Sequence, residues 1–101
     1  MSKRRDSIET FLRVLAPAAP ERDIAEILDH AIFSKGLKTA RPETSAWLSL
    51  VAYVRHSYTD YDDLLTEDYD IDSARHFCLD QINEVLAAWG CRRQVNGEDD
   101  Q

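Results

Sequence analysis

A chain of 101 residues, 44% of them hydrophobic and 31% charged, has room for one domain and one core, and it is too apolar to be wholly disordered. No apolar run approaches the roughly 20 residues of a membrane span, and the basic start, Met1 to Asp6, leads into an amphipathic segment rather than an apolar signal core. The net charge of −7 is uneven: residues 1–58 carry nine Lys/Arg and seven Asp/Glu, residues 59–101 three Arg and twelve Asp/Glu. That asymmetry predicts a dipolar surface able to steer partners, on a soluble cytoplasmic protein, and argues against nucleic-acid binding along the whole chain.

The first periodic segment spans about Ser7 to Ala16, with Ile8, Phe11, Leu12 and Leu15 on one helical face and Asp6 or Ser7 as cap. Pro17 and Pro20 stop it and set a turn. A second helix starts near Pro20 with Glu21 and Asp23 in its first turn and a stripe of Ile24, Ile27, Leu28 and Ala31. Gly36 is expected to end it in a left-handed conformation. These two helices should form an antiparallel hairpin over residues 6–36.

After a basic connector, Lys35 to Arg41, Pro42 opens a third helix at a first-turn position. Its stripe is Trp47, Leu50, Val51, Val54 and Tyr58, and it breaks near Ser57 to Thr59. A short helix from Asp60 to about Glu67 should bury Tyr61, Leu64 and Leu65. The last helix, capped by Asp70 or Asp72, runs to Trp89 with Gly90 as terminator and Ala74, Cys78, Ile82, Val85, Leu86 and Trp89 inward. Residues 94–101 read as a disordered acidic tail, which leaves residues 1–93 as the folded domain. No segment alternates at period two, so the fold class is all-α. The expected architecture is a compact bundle or orthogonal array of four main helices plus one short helix.

Chemical motifs are sparse. Cys78 and Cys91 are too far apart along a helix for a disulfide, on the order of 20 Å, and no CxxC pair suggests zinc. Cys78 reads as a core residue and Cys91 as a partly exposed thiol. Asp68, Asp70 and Asp72 resemble the start of a calcium loop, but Ser73 and Leu79 stand where it needs Gly and Glu, so a capped helix start is the simpler reading. His30, His56 and His76 form no paired metal motif, and there is no nucleophile elbow or Gly-rich phosphate loop. No catalytic residue, metal or cofactor is expected.

Two arginines stand out. Arg75 falls inside the apolar sector shared by Ala74, Cys78, Ile82 and Leu86, and Arg55 lies beside Leu48 and Ala52 on an apolar edge of the third helix. A charge in such a place must be paired or reach water. Two readings stay open. The arginines form structural ion pairs with acids of the 60–72 stretch, or Arg55, His56 and Arg75, edged by Tyr58 or Tyr61, form a pocket for an anion or carboxylate.

The run Arg55-His56-Ser57-Tyr58-Thr59-Asp60-Tyr61-Asp62, with Leu64, Leu65, Ala74, Arg75 and a closing Trp89, resembles an uncharacterised bacterial family of unknown function, DUF2293, whose signature reads RHxxTxYDxLL, then AR, then Trp. The resemblance covers Pro42 to Arg93 well and Met1 to Gly36 loosely. It implies a small intracellular helical domain and brings no activity, cofactor or catalytic residue.

Three functional expectations follow from the residues. The first is a non-enzymatic module that binds another protein through an acidic face of Asp60, Asp62, Asp63, Glu67 and Asp68. The second is a nucleic-acid-associated protein using Lys3, Arg4, Arg5, Lys35, Lys38 and Arg41 as a local basic patch, against the overall acidity. The third is a small-anion binder or enzyme centred on Arg55, His56 and Arg75.

Overall fold

The computed structural model describes residues 3–96. Its elements are α1 (Lys3–Leu15), α2 (Glu21–Phe33), a 3-10 turn (Lys35–Leu37), α3 (Pro42–Tyr58), α4 (Tyr61–Thr66) and α5 (Ile71–Ala88). No strand occurs among the described residues. The all-α expectation of four main helices and one short helix holds.

α3 is the organising element. α1 and α2 pack on it from one side as a hairpin, and α5 lies against another side with α4 bridging α3 and α5. The sequence explains this placement. Ala46, Leu50, Val51 and Val54 are all buried, and the small, fully buried Ser45 and Ser49 let neighbouring helices approach closely. Ile8 and Leu12 from α1, Ile24, Ile27, Leu28 and Ala31 from α2, and Ala74, Cys78, Ile82 and Leu86 from α5 complete one core. A fully buried Leu or Ile side chain contributes about 1.5–3 kcal/mol by leaving water. None of the helices is long and apolar enough to cross a membrane, among the described residues.

Several boundaries differ from the sequence reading. α1 begins at Lys3, not at Asp6 or Ser7, because Arg4 anchors the extra turn. Its guanidinium donates to the carbonyls of Ala40 (2.8 Å) and Leu37 (2.6 Å) and to Ser45 Oγ (3.0 Å). Gly36 is not the terminator of α2: the helix stops at Phe33, Ser34 is its C-cap, and Gly36 sits in the 3-10 turn without a positive φ. Cys91 is buried rather than partly exposed, and its thiol donates to the Arg93 carbonyl at 3.3 Å. Tyr58, expected in the core stripe, is 46% exposed: it is the last residue of α3, and its hydroxyl bonds to the Asp23 carboxylate on α2. Packing continues past Arg93: Asn83 exchanges two hydrogen bonds with the backbone of Val95 (2.8 and 3.0 Å), and Val95 is buried. Residues 97–101 of the expected tail lie outside the described residues.

Two helix ends close through the same motif. At the end of α5, the N–H of Cys91 reaches the Leu86 carbonyl (2.8 Å) and that of Gly90 reaches Ala87 (3.0 Å), with Gly90 at φ +83°. At the end of α4, the N–H of Tyr69 reaches Leu64 (3.1 Å) and that of Asp68 reaches Leu65 (3.2 Å), with Asp68 at φ +71°. Both are Schellman closures, which require a left-handed residue just past the helix. One uses glycine and the other aspartate. Asp70 then caps α5, its side chain accepting from the Ser73 N–H at 2.7 Å.

Candidate functional site

The α3–α4 junction carries most of the residues singled out by sequence. α3 ends because Thr59 turns extended. Its hydroxyl donates to the Arg55 carbonyl and accepts from the Tyr61 N–H (3.2 Å), which closes one helix and starts the next. α4 therefore turns its first residue, Tyr61, under the end of α3, where it is buried.

Arg55 is only 5% exposed, and its guanidinium carbon lies 5.5 Å from the Tyr61 ring centroid, a cation–π contact. Its pKa falls below the ordinary arginine value, first because burial penalises the charge and next because the Arg75 guanidinium is near. Arg55 on α3 thus feels the charge of Arg75 on α5. His56 sits on the outer side of the same corner. Its ring meets Tyr61 edge-on at 5.3 Å, and its Nδ1 lies 2.8 Å from Asp62 Oδ1. Arg55, His56 and Tyr61 therefore gather at one corner, and the charge of Arg75 is felt there from α5.

Tyr58 belongs to a different constellation. Its hydroxyl donates to Asp23 on α2 (3.0 Å), and Tyr53 donates to the same carboxylate oxygen. The Tyr58 ring packs edge-on against Trp89 at 5.5 Å. Asp23 is buried, so this carboxylate with two phenol donors holds α2 to the second half of α3. Burial and the Asp23 hydrogen bond raise the pKa of both tyrosines. Sequence reading took Asp23 as a dipole-complementing acid in the first turn of α2. Its extra role was invisible because its partners lie about thirty residues ahead.

The acids expected to form a face, Asp60, Asp62, Asp63, Glu67 and Asp68, are all exposed. Asp60, Asp63 and Glu67 line a shallow cleft of about 450 Å³ with Leu64 and Thr66. Asp60 also exchanges two hydrogen bonds with the Gln81 side chain (3.2 and 3.3 Å), which fixes α4 to α5. Among the described residues no group of three or more His, Cys, Asp or Glu side chains is arranged to hold a metal ion.

The basic connector lies at the other end of α3. Arg4 binds the carbonyls on either side of Lys38, so Lys38, Arg41 and the start of α1 come together there. Arg5 pairs with Asp29 at 3.5 Å. α3 has 17 residues, so the basic and acidic ends lie roughly 25 Å apart.

A family model described as an uncharacterized conserved protein, DUF2293, matches residues 11–90. The chain is a member of that family. No curated protein and no solved structure matches it. The DUF2293 segment runs from Phe11 in α1 to Gly90, the left-handed residue that closes α5, so it takes in the end of α1, the turn and α2 as well as the RHxxTxYDxLL run.

In this DUF2293 domain the signature residues have visible structural roles. Thr59 joins the two helices, Tyr61 fills the space beneath Arg55, Asp62 meets His56, and Trp89 carries the Tyr58 ring.

Proposed function

We propose that this chain is a small non-enzymatic interaction module whose α4 face binds a basic segment of a partner protein. The observation that carries the reading is the placement of the acids. Asp60, Asp62, Asp63, Glu67 and Asp68 are exposed on and beside one short helix, at the opposite end of α3 from the basic connector. A charge dipole of this size speeds and orients the approach of a basic partner. The rival basic patch is weaker support for a nucleic-acid role, because Arg4 spends its donors on the protein's own carbonyls.

The test compares two charge reversals of equal size by quantitative affinity purification from the native cell. Asp63→Lys with Glu67→Lys should remove specific partners. Asp6→Lys with Glu26→Lys, which alters net charge equally elsewhere, should retain them. If both variants retain every partner, or both lose them equally, the acidic face is not the site.

A further inference from the structure

Two apolar features remain unexplained by the core and by the α4 face. The first is a knob. Phe77 on α5 is 59% exposed and Tyr69, in the turn before α5, is 44% exposed; the two rings pack edge to face with centroids 5.7 Å apart. The left-handed turn at Asp68 carries Tyr69 back to the Leu64 carbonyl, and so holds its ring against Phe77. The second feature is a groove of about 500 Å³ between α1 and α3, lined by Phe11, Val14, Leu15, Trp47, Leu48 and Arg93. Val14 is 73% exposed there, and the Arg93 guanidinium lies 4.0 Å over the Trp47 ring.

We propose that the chain associates head to tail with a second copy of itself, the Tyr69–Phe77 knob of one molecule entering the α1–α3 groove of the next. Three observations carry this. Both surfaces are apolar, and a pair of exposed aromatic rings is the kind of anchor on which interface energy concentrates. Their surroundings have opposite charge. Asp68 and Asp70 flank Tyr69, and Asp80 follows Phe77 by one turn, while Arg93 lines the groove. Glu43, the acid at the groove, is engaged by Arg41 at 2.6 Å. Finally, a molecule cannot fill its own groove. Phe77 stands on α5, whereas the groove lies between α1 and α3, so the two are separate surfaces of one molecule. A contact between two different patches is heterologous, so it propagates beyond a dimer. The two proposals share Asp68, but the knob is Tyr69 and Phe77, and Asp63 and Glu67, whose reversal tests the function proposed above, are not part of it.

Sedimentation equilibrium on the full chain, up to millimolar concentration, tests it. The mean mass of the native protein should rise with concentration past that of a dimer. Phe77→Ser and Val14→Glu, both at exposed positions and checked for native helicity, should each weaken association by roughly thirtyfold or more and sediment as monomers. The decisive measurement is an equimolar mixture of the two variants. It retains one intact knob and one intact groove, so it should give a dimer and nothing larger. The proposal is overturned if the native protein stays monomeric, if it stops at a dimer, or if the mixed variants do not pair. It is equally overturned if Asp63→Lys with Glu67→Lys abolishes assembly, which would place the contact on α4.

Discussion

The ends of α4 and α5 carry the same hydrogen-bond closure and serve opposite purposes. At Gly90 the closure is packed: a Cβ there would stand 3.0 Å from Pro17 Cγ and 3.3 Å from Cδ. The adjacent Trp89 carbonyl accepts the Ala18 N–H at 2.9 Å, so the end of α5 is also the seat of the α1–α2 turn. At Asp68 the closure faces water and a side chain is tolerated. Asp and Asn are the ordinary residues that can take the left-handed conformation at modest cost. The lesson is that one backbone device builds architecture where the neighbourhood is closed and displays a charged side chain where it is open.

The largest expected effect breaks the packed end. Gly90→Ala combines a left-handed backbone penalty with the contact to Pro17. It should cost about 2–3 kcal/mol, a drop in Tm on the order of 10 °C by thermal melt. Adding Pro17→Ala should recover the steric part alone. A Tm unchanged by Gly90→Ala would show that the packed closure does not form.

The second effect asks whether α4 is held by packing or by charge. Arg55→Ala removes the whole buried side chain beside Tyr61 and should destabilise by about 2 kcal/mol, whereas Arg55→Met keeps most of the volume and should cost markedly less. Equal losses in urea unfolding would mean that the guanidinium, and not the stem, matters.

A smaller effect concerns the open end. Asp68→Gly should stabilise by up to about 1 kcal/mol, because glycine takes φ +71° freely. If the acidic face is the binding site, the same substitution should weaken partner capture while raising Tm. A gain in both would separate Asp68 from binding.

The fourth test is alkaline. Tyr53 and Tyr58 have pKa values raised in the folded state. Above the ordinary tyrosine value near 10 the unfolded chain loses these protons first. Their contribution is therefore complete below about pH 10 and declines as pH rises through the folded values. Asp23→Asn should flatten that decline in a pH series of unfolding curves. Gly36→Ala should disturb the fold least: nothing lies within 4 Å of the added Cβ and the backbone is not left-handed, so a small gain of about 0.4–1 kcal/mol is expected in urea unfolding.

The helices themselves were legible because apolar spacing encodes which face is buried, and local signals fixed several ends. Pro42 starts α3, Asp70 caps α5 and Gly90 ends it. What was not legible depends on partners distant in sequence. Arg4 looked like part of a basic patch, and nothing near it in the chain announces the carbonyls of Leu37 and Ala40. Gly36 had the composition of a terminator, but the chain passes into a 3-10 turn there. Of the corner residues, the burial of Arg55 followed from its helical position. The departure of Tyr58 toward Asp23 did not, since a helix stripe cannot show which way a tyrosine hydroxyl will reach.

The bond from Ala18 to Trp89 joins the first fifth of the chain to the last. During synthesis, the α1–α2 hairpin leaves the ribosome well before the residues that will receive its turn. Until α5 is finished, the Ala18 N–H has no Trp89 carbonyl to meet and Pro17 has no Gly90 to close over. The hairpin and α3 can gather early through contacts nearer in sequence, but the latch is among the last contacts to set. A truncated or stalled product would therefore be a partly assembled bundle with the Pro17–Ala18 turn and the inner face of α3 left uncovered, a species recognisable to the quality-control machinery of the cell.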